Sequence, residues 1–203
     1  ASRLDNFMFN HASSYNEASF TISKNITTIG YTHVFYNFGK DETFNKFIVE
    51  SRSTSFKTIN DILYTYDGTR LVDLPRGKTF TNRTYEMPEG VTFMNELSFS
   101  RNRNIDTLVL PNSYVIERYI NKDNNSYGFI NSGNSLSVAV YRDTTIKRYE
   151  VKSDNTRYMS YDGCIYSKDG TELIDVPLHY NGILNIKSGT TTIGQEALWT
   201  DND

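Results

Sequence analysis

The chain has a single cysteine, Cys164, among 203 residues. One thiol forms no intramolecular disulfide and builds no thiolate zinc site, and it leaves the redox compartment open. No apolar run approaches the ~20 residues that a bilayer-spanning helix needs; "LSVAVY" at 136–141 is among the longest. A membrane-spanning segment is not expected. Dense positive charge is missing too: Lys and Arg total 21 against 24 Asp and Glu, a net charge of −3, and the basic residues are scattered. Nucleic acid, which rewards clustered cations, is not an expected partner. Proline is scarce, with 4 residues.

What is present favours strands. Tyr (15) and Phe (12) are plentiful beside many Thr, Ser and Asn, a composition suited to pleated, half-buried surfaces. The length permits one continuous body with a sizeable core. The first residues, "ASRLDNFMFN", lack a basic segment followed by an apolar one, so a trimmed or excised chain is expected.

The chain writes one sentence twice. Residues 61–75 read "DILYTYDGTRLVDLP" and residues 163–177 read "GCIYSKDGTELIDVP". At this offset of 102, ten of the 29 pairs from Phe47 to Pro75 are identical, among them Val49, Tyr64, Asp67, Gly68, Leu71, Asp73 and Pro75 with their counterparts. The register continues after a gap of three residues. "YEMPEGVTFMNELSF" at 85–99 matches "LNIKSGTTTIGQEAL" at 184–198, and "FTISKNITTIG" at 20–30 is an earlier copy. A repeat at this scale takes precedence over any other reading.

A second pattern recurs three times with apolar residues at i, i+3 and i+5: Phe44, Phe47 and Val49; Ile105, Leu108 and Leu110; Ile146, Tyr149 and Val151. Positions i+3 and i+5 face the same way on a strand, and position i sits where the chain turns into it. Each unit therefore offers one apolar edge, which is buried when neighbouring units stack. The doubled segment predicts a β-hairpin in each copy, with type I′ connections at Asp67-Gly68 and Asp169-Gly170. The expected arms are Ile62 to Tyr66 with Thr69 to Asp73, and Cys164 to Lys168 with Thr171 to Asp175. Pro75 and Pro177, lacking an N–H, end the returning strands.

"DGCIYSKDGTELIDVP", "IKSGTTTIGQEALW" and "IDTLVLPNSYVIE" together resemble the BspA-like leucine-rich repeats of bacterial surface proteins. The first hairpin departs from that pattern by opening on Asn60-Asp61 instead of Asp-Gly. Asn95 and Ser98 replace its Gly and Ala, and residues 121–142 match no unit. The resemblance implies a mainly β, leucine-rich-repeat-type right-handed solenoid over residues 1–203, with inserted β-hairpins and short helical turns. Its copies lie near 20–75, 85–120 and 146–199. It also implies an exported or cell-surface location, extracellular in either case, and binding of a protein or glycan partner. The chain stops just after "GQEALW", so a longer parent protein is expected.

Catalytic signals are weak. His11, His33 and His179 are far apart and without metal-ligand spacing, which reads as ordinary surface or turn histidine. Cys164 replaces Ile62 of the other copy and reads as a small buried hydrophobe. "GFINSGNS" at 128–135 lacks the lysine of a phosphate loop, and "DNNSYG" at 123–128 lacks the closing glutamate of a calcium loop. Asp67 and Asp169 are explained by turn chemistry. Asp73 and Asp175 alternate with apolar neighbours and are expected to face water. Asn25, Asn82 and Asn124 fit the N-glycosylation pattern, which matters only in a eukaryote.

A binding surface remains. Strand residues that do not enter the core point outward, namely Lys46, Ile48, Glu50, Thr107, Val109, Arg148, Glu150 and Lys152. Tyr66, which becomes Lys168 in the other copy, joins them as an aromatic without a structural duty. The expectation is a monomeric, non-catalytic, adhesion-type interaction module that needs no cofactor. The alternative is an accessory or spacer domain of a larger secreted enzyme.

Overall fold

The computed structural model describes residues 1–9, 16–31, 34–35, 38–39, 43–116, 136, 144–194 and 197–198. His11, His33, Asn124, the loop sequences at 123–128 and 128–135, and the unmatched stretch 121–142 apart from Leu136 lie outside the described residues.

Among the described residues the chain is mainly β, with fifteen short strands and one 3-10 turn at Thr81–Arg83. In order the strands are β1 (Arg3–Leu4), β2 (Ser19–Ile22), β3 (Thr28–Ile29), β4 (Lys46–Val49), β5 (Phe56–Ile59), β6 (Ile62–Thr65), β7 (Arg70–Asp73), β8 (Thr84–Glu86), β9 (Phe93–Met94), β10 (Thr107–Leu110), β11 (Arg148–Val151), β12 (Tyr158–Tyr161), β13 (Cys164–Ser167), β14 (Glu172–Asp175) and β15 (Thr192–Ile193). One class of pairing is parallel: β2 with β4, and β8, β10 and β11 side by side in chain order. Shorter parallel ladders join β1 to β3, β7 to β9 and β14 to β15.

The recurring apolar triplets behave as strand geometry requires. Phe44, Phe47, Ile105, Leu108, Leu110, Ile146 and Tyr149 are buried, and Val49 and Val151 are half-buried. Each fully buried side chain of this size contributes ~1.5–3 kcal/mol.

Each copy of the doubled sentence forms a three-stranded antiparallel unit, β5–β6–β7 and β12–β13–β14. The type I′ connections are displaced from their expected place. Only the glycine of each Asp-Gly pair has positive φ (Gly68 80°, Gly170 73°), and its N–H donates to Thr65 or Ser167, three residues back. This is a turn centred on Tyr66-Asp67 or Lys168-Asp169 with glycine in the left-handed position behind it. The arms therefore end at Thr65 and Ser167, short of Tyr66 and Lys168, and resume at Arg70 and Glu172. Within these two units the residue pairs with both φ values positive are Asn60-Asp61 (50°, 66°) and Asp162-Gly163 (51°, 78°), joining β5 to β6 and β12 to β13.

Turn chemistry does explain Asp67 and Asp169. Asp67 Oδ1 accepts from the Thr65 hydroxyl (2.6 Å) and from the hydroxyl and N–H of Thr69 (2.9 and 3.0 Å). Asp169 Oδ1 accepts in the same way from Ser167 (2.7 Å) and Thr171 (2.8 and 3.0 Å). These bonds, led by those from Thr65 and Ser167, hold both carboxyls below the ordinary value, Asp169 at about 2.

The expectation that Asp73 and Asp175 face water fails, because both faces of each unit are covered. Leu63 and Val72 join a core cluster with Phe44, Phe47 and Phe56, whereas Ile62, Tyr64, Leu71 and Leu74 join a second cluster with Leu108, Leu110 and Tyr149. Ile165 and Ile174 enter that second cluster from the other side, and Cys164, Tyr166 and Leu173 form a third. Each unit is thus a partition between two cores. A shift of register between Leu63 and Tyr64, and again between Ile165 and Tyr166, marks a bulge at the partition. Asp175 is buried and Asp73 half-buried. Burial raises the Asp73 carboxyl well above its ordinary value, against the opposing pull of Arg76 and the Leu74 N–H.

The matched segments at 85–99 and 184–198 differ in burial. Met87, Met94 and Phe99 are buried, yet their counterparts Ile186, Ile193 and Leu198 are 43%, 52% and 48% exposed.

Candidate functional site

The structure gathers four of the nine candidate residues on one sheet, with Lys152 just past its edge strand. Thr84, Thr107 and Arg148 lie opposite one another across β8, β10 and β11, as do Glu86, Val109 and Glu150. Tyr85, Leu108 and Tyr149 alternate with them and are buried, so the outward row follows from the two-residue period of a strand. Thr107, Val109 and Glu150 are half-buried and Arg148 is exposed.

Ion pairs fix the ends of this row. Lys152, just past β11, reaches back across the sheet to Glu86 (Nζ to Oε1, 2.9 Å) and Glu89 (3.4 Å). The Glu86 bond is the main cause of a raised Lys152 pKa. Arg148 Nε lies 3.7 Å from Glu150 Oε1. At the other end Asp106 faces Arg83 (3.0 Å) and Lys147 (3.5 Å), and Arg83 holds its carboxyl below the usual range. Such exposed pairs are screened by solvent and add little to stability.

The other four candidates lie elsewhere. Lys46 and Ile48 project from β4, whose ladder partner is β2, opposite Ser19 and Thr21. Glu50 accepts from the Lys24 N–H (3.0 Å) and the Ser23 hydroxyl (3.1 Å), which lower its pKa, so it secures the turn after β2. Tyr66 is 56% exposed at the tip of the first hairpin. Glu86 and Thr84 complete the row but were missed. The only sequence signal for them is the Tyr85 to Met87 spacing of two, which lacks the third apolar residue of the recurring triplet.

Cys164 is buried, and desolvation raises its thiol to about 12. Tyr64 and Tyr166 are fully buried, so packing accounts for both. Among the described residues no group of three or more His, Cys, Asp or Glu side chains is placed to hold a metal, and no helix is long and apolar enough to cross a membrane.

No protein-family model matches the chain, and no curated protein does. Two solved structures are similar to it. The pneumococcal vaccine antigen PcpA is 18% identical over 91% of this chain and 43% of its own, with a TM-score of 0.48. A leucine-rich repeat protein from Eubacterium ventriosum is 17% identical over 98% of this chain and 51% of its own, with a TM-score of 0.41. The chain thus spans about half the length of each.

Proposed function

We propose that the chain is a BspA-like, right-handed leucine-rich-repeat solenoid of an exported or cell-surface bacterial protein. It acts without catalysis, holding a protein or glycan partner in adhesion against the outer face of β8, β10 and β11. The observation that carries this reading is the in-register parallel row of Thr84, Thr107 and Arg148 beside Glu86, Val109 and Glu150. Successive strands of one parallel sheet require crossovers, and these are right-handed in nearly all proteins. A stack of such units keeps its outward side chains at fixed spacing, which suits an extended partner surface.

The test is a binding screen of the purified chain against extracellular-matrix proteins and a glycan array, with the variant T107A/R148A/E150A beside it. Binding of a defined ligand that the folded variant loses supports the reading. No binding by the folded wild-type chain contradicts it, and would favour a spacer or an accessory domain of a larger secreted enzyme.

A further inference from the structure

One difference between the duplicated hairpin units lies beside β8. Between β5–β6 and β8 lies a cleft of about 310 Å3. Tyr64, Phe80 and Tyr85 line it, Phe80 half-buried and the two tyrosines buried, and Asn60, Thr79 and Thr81 at its edge are exposed. The hydroxyls of Tyr64 and Tyr85 are hydrogen-bonded to each other.

In the second unit the corresponding place is occupied by Tyr180. Its counterpart at the 102-residue offset is Lys78, and its hydroxyl donates to Asp162, the counterpart of Asn60, at 2.7 Å. Tyr180 packs against the cluster of Cys164 and Tyr166, the counterparts of Ile62 and Tyr64. The connection after Pro75 is also three residues longer than the one after Pro177 before the next matched segment begins, at Tyr85 and Leu184. The first copy thus carries a cleft where the second has Tyr180 packed against its core.

We infer that the open cleft binds a single neutral pyranose unit of a glycan. Its volume sits at the small end of the ~300–1,000 Å3 typical of ligand pockets, room for one ring. The half-buried Phe80 ring suits the C–H face of a sugar, and the amide and hydroxyls at the rim suit its hydroxyl groups. The charged lining residues are already neutralised: Lys78 pairs with Asp61 at 2.9 Å and Glu86 with Lys152 at 2.9 Å. A neutral polar ligand fits that balance better than an anion or a cation. The inference rests on the proposed binding role and names its partner class, at a cleft that adjoins the outer row through Thr84 and Glu86 of β8.

The test is saturation-transfer difference NMR of the whole chain with the methyl glycosides of glucose, galactose, mannose and N-acetylglucosamine. The double variant N60D/K78Y rebuilds the filled copy, T79A/T81A trims two exposed hydroxyls, and T107A/R148A/E150A alters only the outer row. At least one glycoside binds the wild-type chain, loses binding in N60D/K78Y, weakens several-fold in T79A/T81A and is unaffected by T107A/R148A/E150A. If N60D/K78Y fails to fold by circular dichroism, the T79A/T81A result decides. Absence of binding by every glycoside overturns the inference, as does binding that survives a folded N60D/K78Y. Binding lost only in T107A/R148A/E150A overturns the cleft while leaving the proposed function standing.

Discussion

The backbone N–H of Tyr149 donates to the carbonyl oxygen of Gly163 at 2.8 Å. The other copy repeats this, with Phe47 donating to Asp61 at 2.9 Å. In both cases an amide of a parallel strand is satisfied by the second residue of a left-handed turn, and that turn belongs to the hairpin unit that follows it in sequence. An unpaired strand edge costs free energy and invites association. The turn carbonyl supplies part of what a neighbouring strand would, and so docks each hairpin unit onto its row.

The two Asp-Gly turns give matched predictions. Gly68→Val and Gly170→Val each force a β-branched residue to positive φ, at a cost of ~1–3 kcal/mol. A Cβ at 170 would also lie 2.6 Å from Lys187 Nζ, against 3.0 Å from Lys57 Nζ at 68. Both variants lower the melting temperature by similar amounts, because φ is alike at the two positions and the nearby atoms belong to flexible lysine ends. Unchanged melting in both would contradict the turn geometry.

Acid stability depends on the same turns. The Asp169 carboxyl is held at about 2 and Asp67 is also lowered. Depressed values mean stability that is present above the unfolded carboxylate value and lost as pH falls through the folded one. Melting temperatures recorded between pH 5 and pH 2 fall less steeply for Asp169→Asn than for the wild-type chain. A parallel fall would refute the bond pattern at Asp169.

Asp73 has the opposite sign. Its folded pKa is raised, so its contribution is present below the unfolded value, ~3.9, and is lost as pH rises through the folded one. Asp73→Asn removes the charge that burial penalises and flattens the decline in melting temperature above pH 4. A steeper decline in the variant would show that attraction to Arg76 outweighs burial.

Equivalent residues in the repeat are predicted to differ in cost. Met87 and Met94 are fully buried, whereas Ile186 and Ile193 at matching positions are 43% and 52% exposed. Truncation of a buried side chain of this size costs ~2–5 kcal/mol. Met94→Ala lowers the urea midpoint strongly and Ile193→Ala by much less; equal losses would count against the burial assigned to the last copy.

These differences show what a single chain discloses about itself. The apolar triplets were readable because strand period alone decides which of Phe47, Leu108 and Tyr149 turns inward. The pairs Leu63 with Tyr64 and Leu71 with Val72 were read as ordinary hairpin arms, since nothing local says that a strand is covered on both faces. Asn60-Asp61 carries no glycine, so its left-handed turn was hidden behind the stronger Asp-Gly signal seven residues later. Glu50 and Lys152 find partners at Ser23, Lys24, Glu86 and Glu89, on neighbouring units far away in sequence. The gap of three residues after Pro75 was visible, but its consequence, an open cleft, exists only in three dimensions.

The central claim is that hairpin units dock on the strand rows through turn carbonyls and that this docking repeats. Native-state hydrogen exchange read by NMR at the Phe47 and Tyr149 amides tests it most directly. The account predicts that both amides are protected to the level of Leu108 within the β8–β10–β11 sheet. Exchange at the rate of an exposed loop at both positions would contradict it.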